Sequence, residues 1–287
     1  MRRIIKGDEP SSLTRYRARG APGGYGRFPD RQDLREALVT EQLGLCAYCQ
    51  SRIVPTAHRM TVEHFAAQST HPELALAWDN LLGTCRGGRS EQSGRNEQSG
   101  PNDGRGQGAG GGRHDGGGRH DGGGRHDGGG RHEQGSRNER TGGLYCEAAR
   151  GNTRLHIHPV HAPQVEELFS YRFNGEMESS NGPAQMDVNT LRLNHPRLVR
   201  NRAALVDRLR WSIDAFEGDA ARLHKVRSLL RRWTTPDADG VLPEFAAAAE
   251  YWLRRWERRL ERRIRRGDAK EPPTSSGPHP QTSDPAE

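Results

Sequence analysis

Apolar positions are grouped along the chain. Leu34, Leu38 and Leu45, with Ala37 beside them, recur near helical spacing, and apolar recurrence every three or four residues marks the buried face of a helix. Asp30 is the candidate N-cap, with Asp33 three residues on, so a helix is predicted that delivers the chain to Cys46. Before it, Pro10, Pro22, Gly23, Gly24 and Pro29 punctuate residues 1–30 and predict an irregular arm with little core. Met60 to Phe65 reads as a short apolar strand, Thr153 to Ile157 as another, and Asn181 to Pro183 as a polar turn. Helices then dominate. Leu198, Leu205, Leu209 and Ile213 mark one, Leu223, Val226, Leu229 and Leu230 a second, and Phe245, Ala249, Trp252, Trp256, Leu260 and Ile264 a third. The mixture predicts an α+β fold.

Between Arg86 and Gly143 the pattern vanishes. Arg-His-Asp-Gly-Gly-Gly starts at Arg113, Arg119 and Arg125 and decays after Arg131. Such a segment has almost nothing to bury, and glycine carries the largest entropy cost on ordering, so a disordered insert is expected. The tail from Gly267, rich in Pro, Ser and acids, reads the same way. The resulting organisation is an arm at 1–30, a core built from 31–86 and 144–180, an insert at 87–143, a helical region at 181–266 and a tail at 267–287.

Composition agrees: only 31% of residues are hydrophobic, against about 45–50% in globular chains. With 44 Lys and Arg against 37 Asp and Glu, the net charge of +7 suits a polyanion or an acidic protein surface. The opening Met1-Arg2-Arg3-Ile4-Ile5-Lys6-Gly7 turns polar too early for a signal peptide. No later run approaches the ~20 apolar residues of a membrane span, so a soluble cytoplasmic protein that does not engage membranes is expected. Four cysteines in such a compartment point to metal or catalysis rather than disulfides.

Cys46-Ala47-Tyr48-Cys49 has the two-residue spacing at which both thiolates of a tight turn reach one tetrahedral zinc. Cys85 and Cys146 flank the glycine-rich block; looping that block out makes them neighbours and completes a four-thiolate site. Lengthening a spacer from a few residues to about sixty costs only roughly 2.7 kcal/mol, whereas structural zinc contributes about 10–16 kcal/mol in peptides. Inside this frame lie Glu63 and His64 on the Met60–Phe65 strand, and Asn80 in Trp78-Asp79-Asn80-Leu81-Leu82 just before Cys85. Phosphodiester hydrolysis needs a divalent cation, a general base and a group that orients the base. Glu63, His64 and Asn80 supply those types.

The order Cys46-x-x-Cys49, Glu63-His64, Asn80, Cys85, then Cys146 with Arg150-Gly151-Asn152 resembles an HNH endonuclease of the zinc-knuckle ββα-metal fold. More narrowly it is similar to the PtuB-like HNH nucleases of Septu-type and retron-associated anti-phage systems. Lys6-Gly7-Asp8-Glu9-Pro10 with Leu13, the run Glu41 to Cys49, and Leu191-Arg192-Leu193-Asn194 before a basic helix carry that likeness, which spans 1–86 and 144 to about 215. The resemblance implies His64 as general base, Glu63 as a ligand of a catalytic Mg2+ or Mn2+, and Asn80 as the residue orienting His64 or the metal. It implies structural zinc on Cys46, Cys49, Cys85 and Cys146. It further implies a DNA or RNA substrate and an ABC- or SMC-like ATPase partner of the PtuA kind. One departure is that Glu147 stands where HNH proteins carry a histidine after the last zinc cysteine. A carboxylate suits magnesium or manganese, so Glu147 is a candidate third ligand. His156 and His158, on one face of the predicted strand, are further candidates.

Plainer readings stand beside these. The plain alternative for His64 is a hydrogen-bonded surface histidine, for Asn80 a turn or cap residue, and for Glu147 a helix-start acid favoured by the macrodipole. The repeat histidines, His114, His120, His126 and His132, read as neutral expansion or a loose transition-metal tract. Arg254, Arg255, Arg258, Arg259, Arg262 and Arg263 surround the apolar stripe of the last helix; that helix is a core element with a solvated basic face, or a dock for nucleic acid or an acidic partner. The competing function is a catalytically inactive, zinc-stabilised module that binds nucleic acid or a partner, and a third is metal storage on the repeats.

Overall fold

A computed structural model describes residues 1–21, 23–88 and 143–268; the repeat and most of the expected insert and tail lie outside them. Where described, the chain is mixed helix and small sheets, α+β as expected.

The arm is more ordered than its turn formers suggest. Helix α1 spans Ser11–Ala18, and Met1, Ile4, Leu13 and Phe28 are buried in the main core. These apolar residues are too sparse for a periodic signal, yet each fills space against a distant segment. Ile4 N–H bonds the Pro159 carbonyl at 2.9 Å. Lys6 Nζ reaches both Glu41 and the Leu81 carbonyl at 2.6 Å and lies 3.9 Å from the Trp78 ring centre.

Helix α2, Arg31–Glu41, buries Leu34 and Leu38, but it ends before Leu45. Leu43 and Gly44 take left-handed φ of 54° and 73°, a conformation no helix continues through. Leu45 instead packs with Leu242 and Ala246. Asp30 caps α2 in position without a side-chain bond, and Asp33 accepts from the Ser12 hydroxyl of α1 rather than closing a capping box.

Strands β1, Met60–His64, and β2, Leu81–Cys85, form an antiparallel hairpin with Met60 opposite Cys85 and His64 opposite Leu81. All of β2 is buried. Gln42 clamps its middle: its side-chain amide donates to the Gly83 carbonyl at 2.7 Å and accepts from Gly83 N–H at 2.6 Å. Ala47 N–H also bonds that carbonyl at 3.0 Å, so the turn carrying Cys46 and Cys49 is docked on β2.

After the undescribed stretch comes α3, the single turn Glu147–Arg150. Thr153–Ile157, expected as a strand, pairs with no strand among the described residues. Its donors go elsewhere: the buried Asp187 carboxylate accepts from His156 N–H at 3.0 Å and from Ile157 N–H at 2.8 Å. Two short strands, β3 (Ser170–Tyr171) and β4 (Met177–Glu178), form a second hairpin. Four helices follow: α4 Gly182–Thr190, α5 Pro196–Asp214, α6 Asp219–Thr234 and α7 Ala246–Asp268. Asn181 accepts from Ala184 N–H as the N-cap of α4, and Leu198, Leu205, Leu209 and Ile213 are buried on α5 as their spacing predicts. The N-terminus of α7 sits on the cysteine turn, where Gln50 accepts from Ala247 N–H at 3.0 Å and thereby satisfies an otherwise orphan helix donor.

Candidate functional site

The four cysteines converge. All are buried, and their sulfurs lie within 4.8 Å of one another. Cys49 and Cys85 sulfurs are 3.6 Å apart, and those of Cys46 and Cys146 are 4.0 Å apart. Zinc bonded tetrahedrally at about 2.3 Å to each sulfur requires edges of about 3.8 Å, and these two separations lie on either side of that value, so the donor set suits a zinc ion. Local backbone builds the site. Cys46 N–H bonds the Ser51 carbonyl at 2.9 Å, and Gln50 takes a left-handed φ of 66° to close the turn. Cys146 N–H is held by the Leu191 carbonyl at 2.8 Å. Burial opposes ionisation at Cys46, but hydrogen bonds from Cys146, Cys49 and Cys85 outweigh it and hold that thiol well below its usual range. Cys146 is driven the other way, by burial first and then by its interactions with the other three. Negative charges this close repel one another, and a bound cation would favour the thiolate form of the set.

Glu63 and His64 lie at the end of β1 away from Cys85, opposite Leu82 and Leu81, and are nearly buried, 9% and 7% exposed. Arg150 of α3 lies against them, 3% exposed. Its guanidinium forms an ion pair with Glu63, donates to the His64 carbonyl at 3.2 Å and to the Phe65 carbonyl, and its Nε donates to the Thr153 carbonyl at 2.7 Å. Despite this cation, burial dominates at Glu63 and, with the Glu147 carboxylate nearby, raises its pKa to about 7. Tyr48 projects from the cysteine turn into the same interior. Its hydroxyl feels the Glu63 and Arg150 charges but makes no hydrogen bond among the described residues.

The His64 ring is fixed at both nitrogens. Nε2 lies 2.9 Å from the Ala75 carbonyl, an acceptor only, so Nε2 carries the proton. Nδ1 then accepts from the Gln68 side-chain amide at 3.1 Å. Tyr25 of the arm packs edge-on at 4.5 Å. Burial lowers the His64 pKa further than the Ala75 bond raises it, which keeps the ring neutral near pH 7.

The Asn80 side chain makes no hydrogen bond to His64 among the described residues. Its Oδ1 accepts from Ala66 N–H at 2.7 Å, and Nδ2 donates to the Ala66 carbonyl at 3.2 Å and the Leu74 carbonyl at 3.0 Å. It staples shut the loop that presents Gln68 and Ala75 to His64. Glu147 opens α3, directly after Cys146. Among the described residues the four thiols are the group of three or more such donors close enough to hold an ion, and Glu63, His64 and Glu147 do not form a second. Of the other candidates, His156 bonds Asp187 at 2.9 Å, and His158 stacks on Phe65 at 4.0 Å with its pKa lowered to about 4 by burial and then by His161. Sequence reading gave no role to Arg150, Gln68, Tyr25 or Tyr48; Arg150 appears there only within the Arg-Gly-Asn run and Tyr48 only as a spacer between Cys46 and Cys49.

No helix among the described residues is long and apolar enough to cross a membrane. No protein-family model matches the chain. A stretch of 53 residues is 36% identical to the Septu protein PtuB of Bacillus thuringiensis, covering 18% of this chain and 21% of that protein. The match supports a Septu-related relationship over that stretch, and it spans about one fifth of the relative's length.

Proposed function

We propose that this chain is a metal-dependent HNH endonuclease, the cutting component of a Septu-like anti-phage system that works with an ABC- or SMC-like ATPase of the PtuA kind. The observation that carries the reading is a neutral, tautomer-fixed His64 beside Glu63, on a hairpin whose far end supplies Cys85 to the four-thiol site. Zinc on Cys46, Cys49, Cys85 and Cys146 is structural, joining the cysteine turn, β2 and α3. Glu63 and Glu147 would hold a magnesium or manganese ion, for which carboxylate oxygens are suitable hard donors. When bound, such an ion neutralises charge growing on the scissile phosphate. His64 Nδ1, once Gln68 yields its hydrogen bond to an incoming water, takes the water's proton, and the Ala75 carbonyl steadies the resulting imidazolium through Nε2–H. Asn80 keeps the loop, and hence that carbonyl, in position.

A second reading has its own support. Arg150 already neutralises Glu63, the two are almost buried, and Glu147 replaces the customary histidine; these features suit a zinc-stabilised binding module without catalysis. Purified protein with its neighbouring ATPase is incubated with duplex DNA, single-stranded DNA and total RNA, with magnesium or manganese, beside His64→Ala. Cutting that stops in His64→Ala supports the nuclease, and the polymer degraded identifies the substrate. Intact, zinc-loaded protein that cuts nothing in any combination overturns it in favour of the binding module.

A further inference from the structure

Helix α7 separates its charges by side. Its three glutamates are paired: Glu250 with Arg2 and Arg254 at 2.6 Å, and Glu257 and Glu261 with Arg227 at 3.1 and 2.8 Å. Arg255, Arg258, Arg259 and Arg262 are exposed and have no ion pair among the described residues. They line one 420 Å³ groove whose remaining walls are aromatic and which contains no carboxylate. Phe173, at the turn between β3 and β4, stacks on Trp252 with ring centres 3.9 Å apart and planes 26° from parallel, and Trp256 lies 5.8 Å beyond Trp252. Phe173 is nonetheless 55% exposed, which leaves its outer face open to solvent. An open aromatic face backed by a second ring is a platform on which an unpaired base can stack.

From this we infer that the α7 face is a holding surface for single-stranded nucleic acid, with the arginines on phosphates and an unstacked base on Phe173. The charge is complementary, and the four arginines span two helical turns, about 10 Å of track. The aromatic floor distinguishes a single strand from a duplex, because only unpaired bases offer a face for stacking. An acidic protein surface would satisfy the arginines and leave Phe173 unused. None of Glu63, His64, Asn80 or Glu147 lines this groove, and the inference concerns binding, so it stands with or without hydrolysis. Helix α7 is also tied to the cysteine turn by the Gln50 cap on Ala247.

The test uses full-length, zinc-loaded His64→Ala protein and fluorescence anisotropy with labelled oligo-dT, oligo-U and a duplex of equal length. The expected result is tighter binding of the single strands than of the duplex. Phe173→Ala should weaken single-strand binding about five-fold or more, in keeping with one lost base stack. For four phosphate contacts, log K should fall against log salt with a slope near about −2.8, and Arg255→Ala with Arg259→Ala should halve it. Phe173, Arg255 and Arg259 are all exposed, and thermal transitions unchanged from the His64→Ala parent verify folding. No oligonucleotide binding, binding that ignores both sets of changes, or equal affinity for duplex with no effect of Phe173→Ala would each overturn the inference. The first outcome redirects attention to an acidic protein partner.

Discussion

Replacing Asn80 with alanine separates a loop staple from a metal or substrate ligand. Asn80 is 5% exposed and makes three hydrogen bonds, at 2.7, 3.2 and 3.0 Å, to the backbone of Ala66 and Leu74. Each is worth about 1 kcal/mol, and a buried partner left unsatisfied costs somewhat more. Ala66 is half-buried, so water recovers part of the loss, and the sum is about 3 kcal/mol. For a chain of this size that corresponds to a fall in Tm of roughly 6–12 °C. The measurement is thermal unfolding of zinc-loaded protein with no magnesium or manganese added, where a catalytic-metal ligand would contribute nothing. Asn80→Asp keeps the acceptor for Ala66 N–H but sets a carboxylate oxygen against the Ala66 and Leu74 carbonyls, so it should be no more stable than alanine. Hydrogen exchange should accelerate across residues 66–77 and spare β2. A Tm shift below about 2 °C together with abolished cleavage would refute the reasoning, because Asn80 would then act on metal or substrate directly.

Cys146→Ser should reduce zinc from one equivalent per chain to none and abolish the cooperative transition, since a site worth about 10–16 kcal/mol rivals the whole stability of a domain; elemental analysis and calorimetry check it, and an unchanged transition counts against structural zinc. The raised Glu63 pKa gives a definite sign with pH. Its protonated form is favoured in the folded state, so this contribution to stability is complete below the unfolded value of 4.5 and is lost as pH rises through about 7. Between pH 6 and 8.5 this amounts to about 1 kcal/mol of lost stability, and Glu63→Gln should flatten that slope in denaturant titrations; parallel slopes would contradict it. Gly175 takes φ 87°, and a Cβ there would press on the Val199 carbonyl and Ala203 N of α5. Gly175→Ala should therefore destabilise the protein by more than ~1 kcal/mol, opposite in sign to the gain of a strain-free glycine replacement, and a Tm within a degree of wild type would exclude this close approach.

The cysteine frame was legible because the chain has four cysteines and a zinc reading uses every one. The later helices were legible for a similar reason: Leu198 to Ile213 repeat on one face, and periodic burial needs no distant partner to be recognised. What escaped reading depends on partners far away in sequence. Arg150 meets Glu63 across 87 residues, Gln50 caps Ala247 across 197, and Gln42 clamps Gly83 across 41. Local pattern carries no trace of such pairings. Leu155 and Ile157 alternate with polar residues as a strand would, but Asp187 supplies the hydrogen bonds that a neighbouring strand normally provides. Leu45 stands seven residues after Leu38 and imitates helical continuation, while the left-handed Leu43 and Gly44 between them turn the chain away.

Tyr145 N–H bonds the Gly87 carbonyl at 3.0 Å, so the chain departs after β2 and returns before Cys146 through one doorway. The fold is thereby indifferent to cargo at that address. A reporter domain whose own termini lie close together should be accepted between Gly88 and Gly143, and a circular permutant opened there should keep both halves of the thiol set in reach. Over generations, replication slippage in a glycine-rich repeat at such a doorway would be nearly invisible to selection on stability.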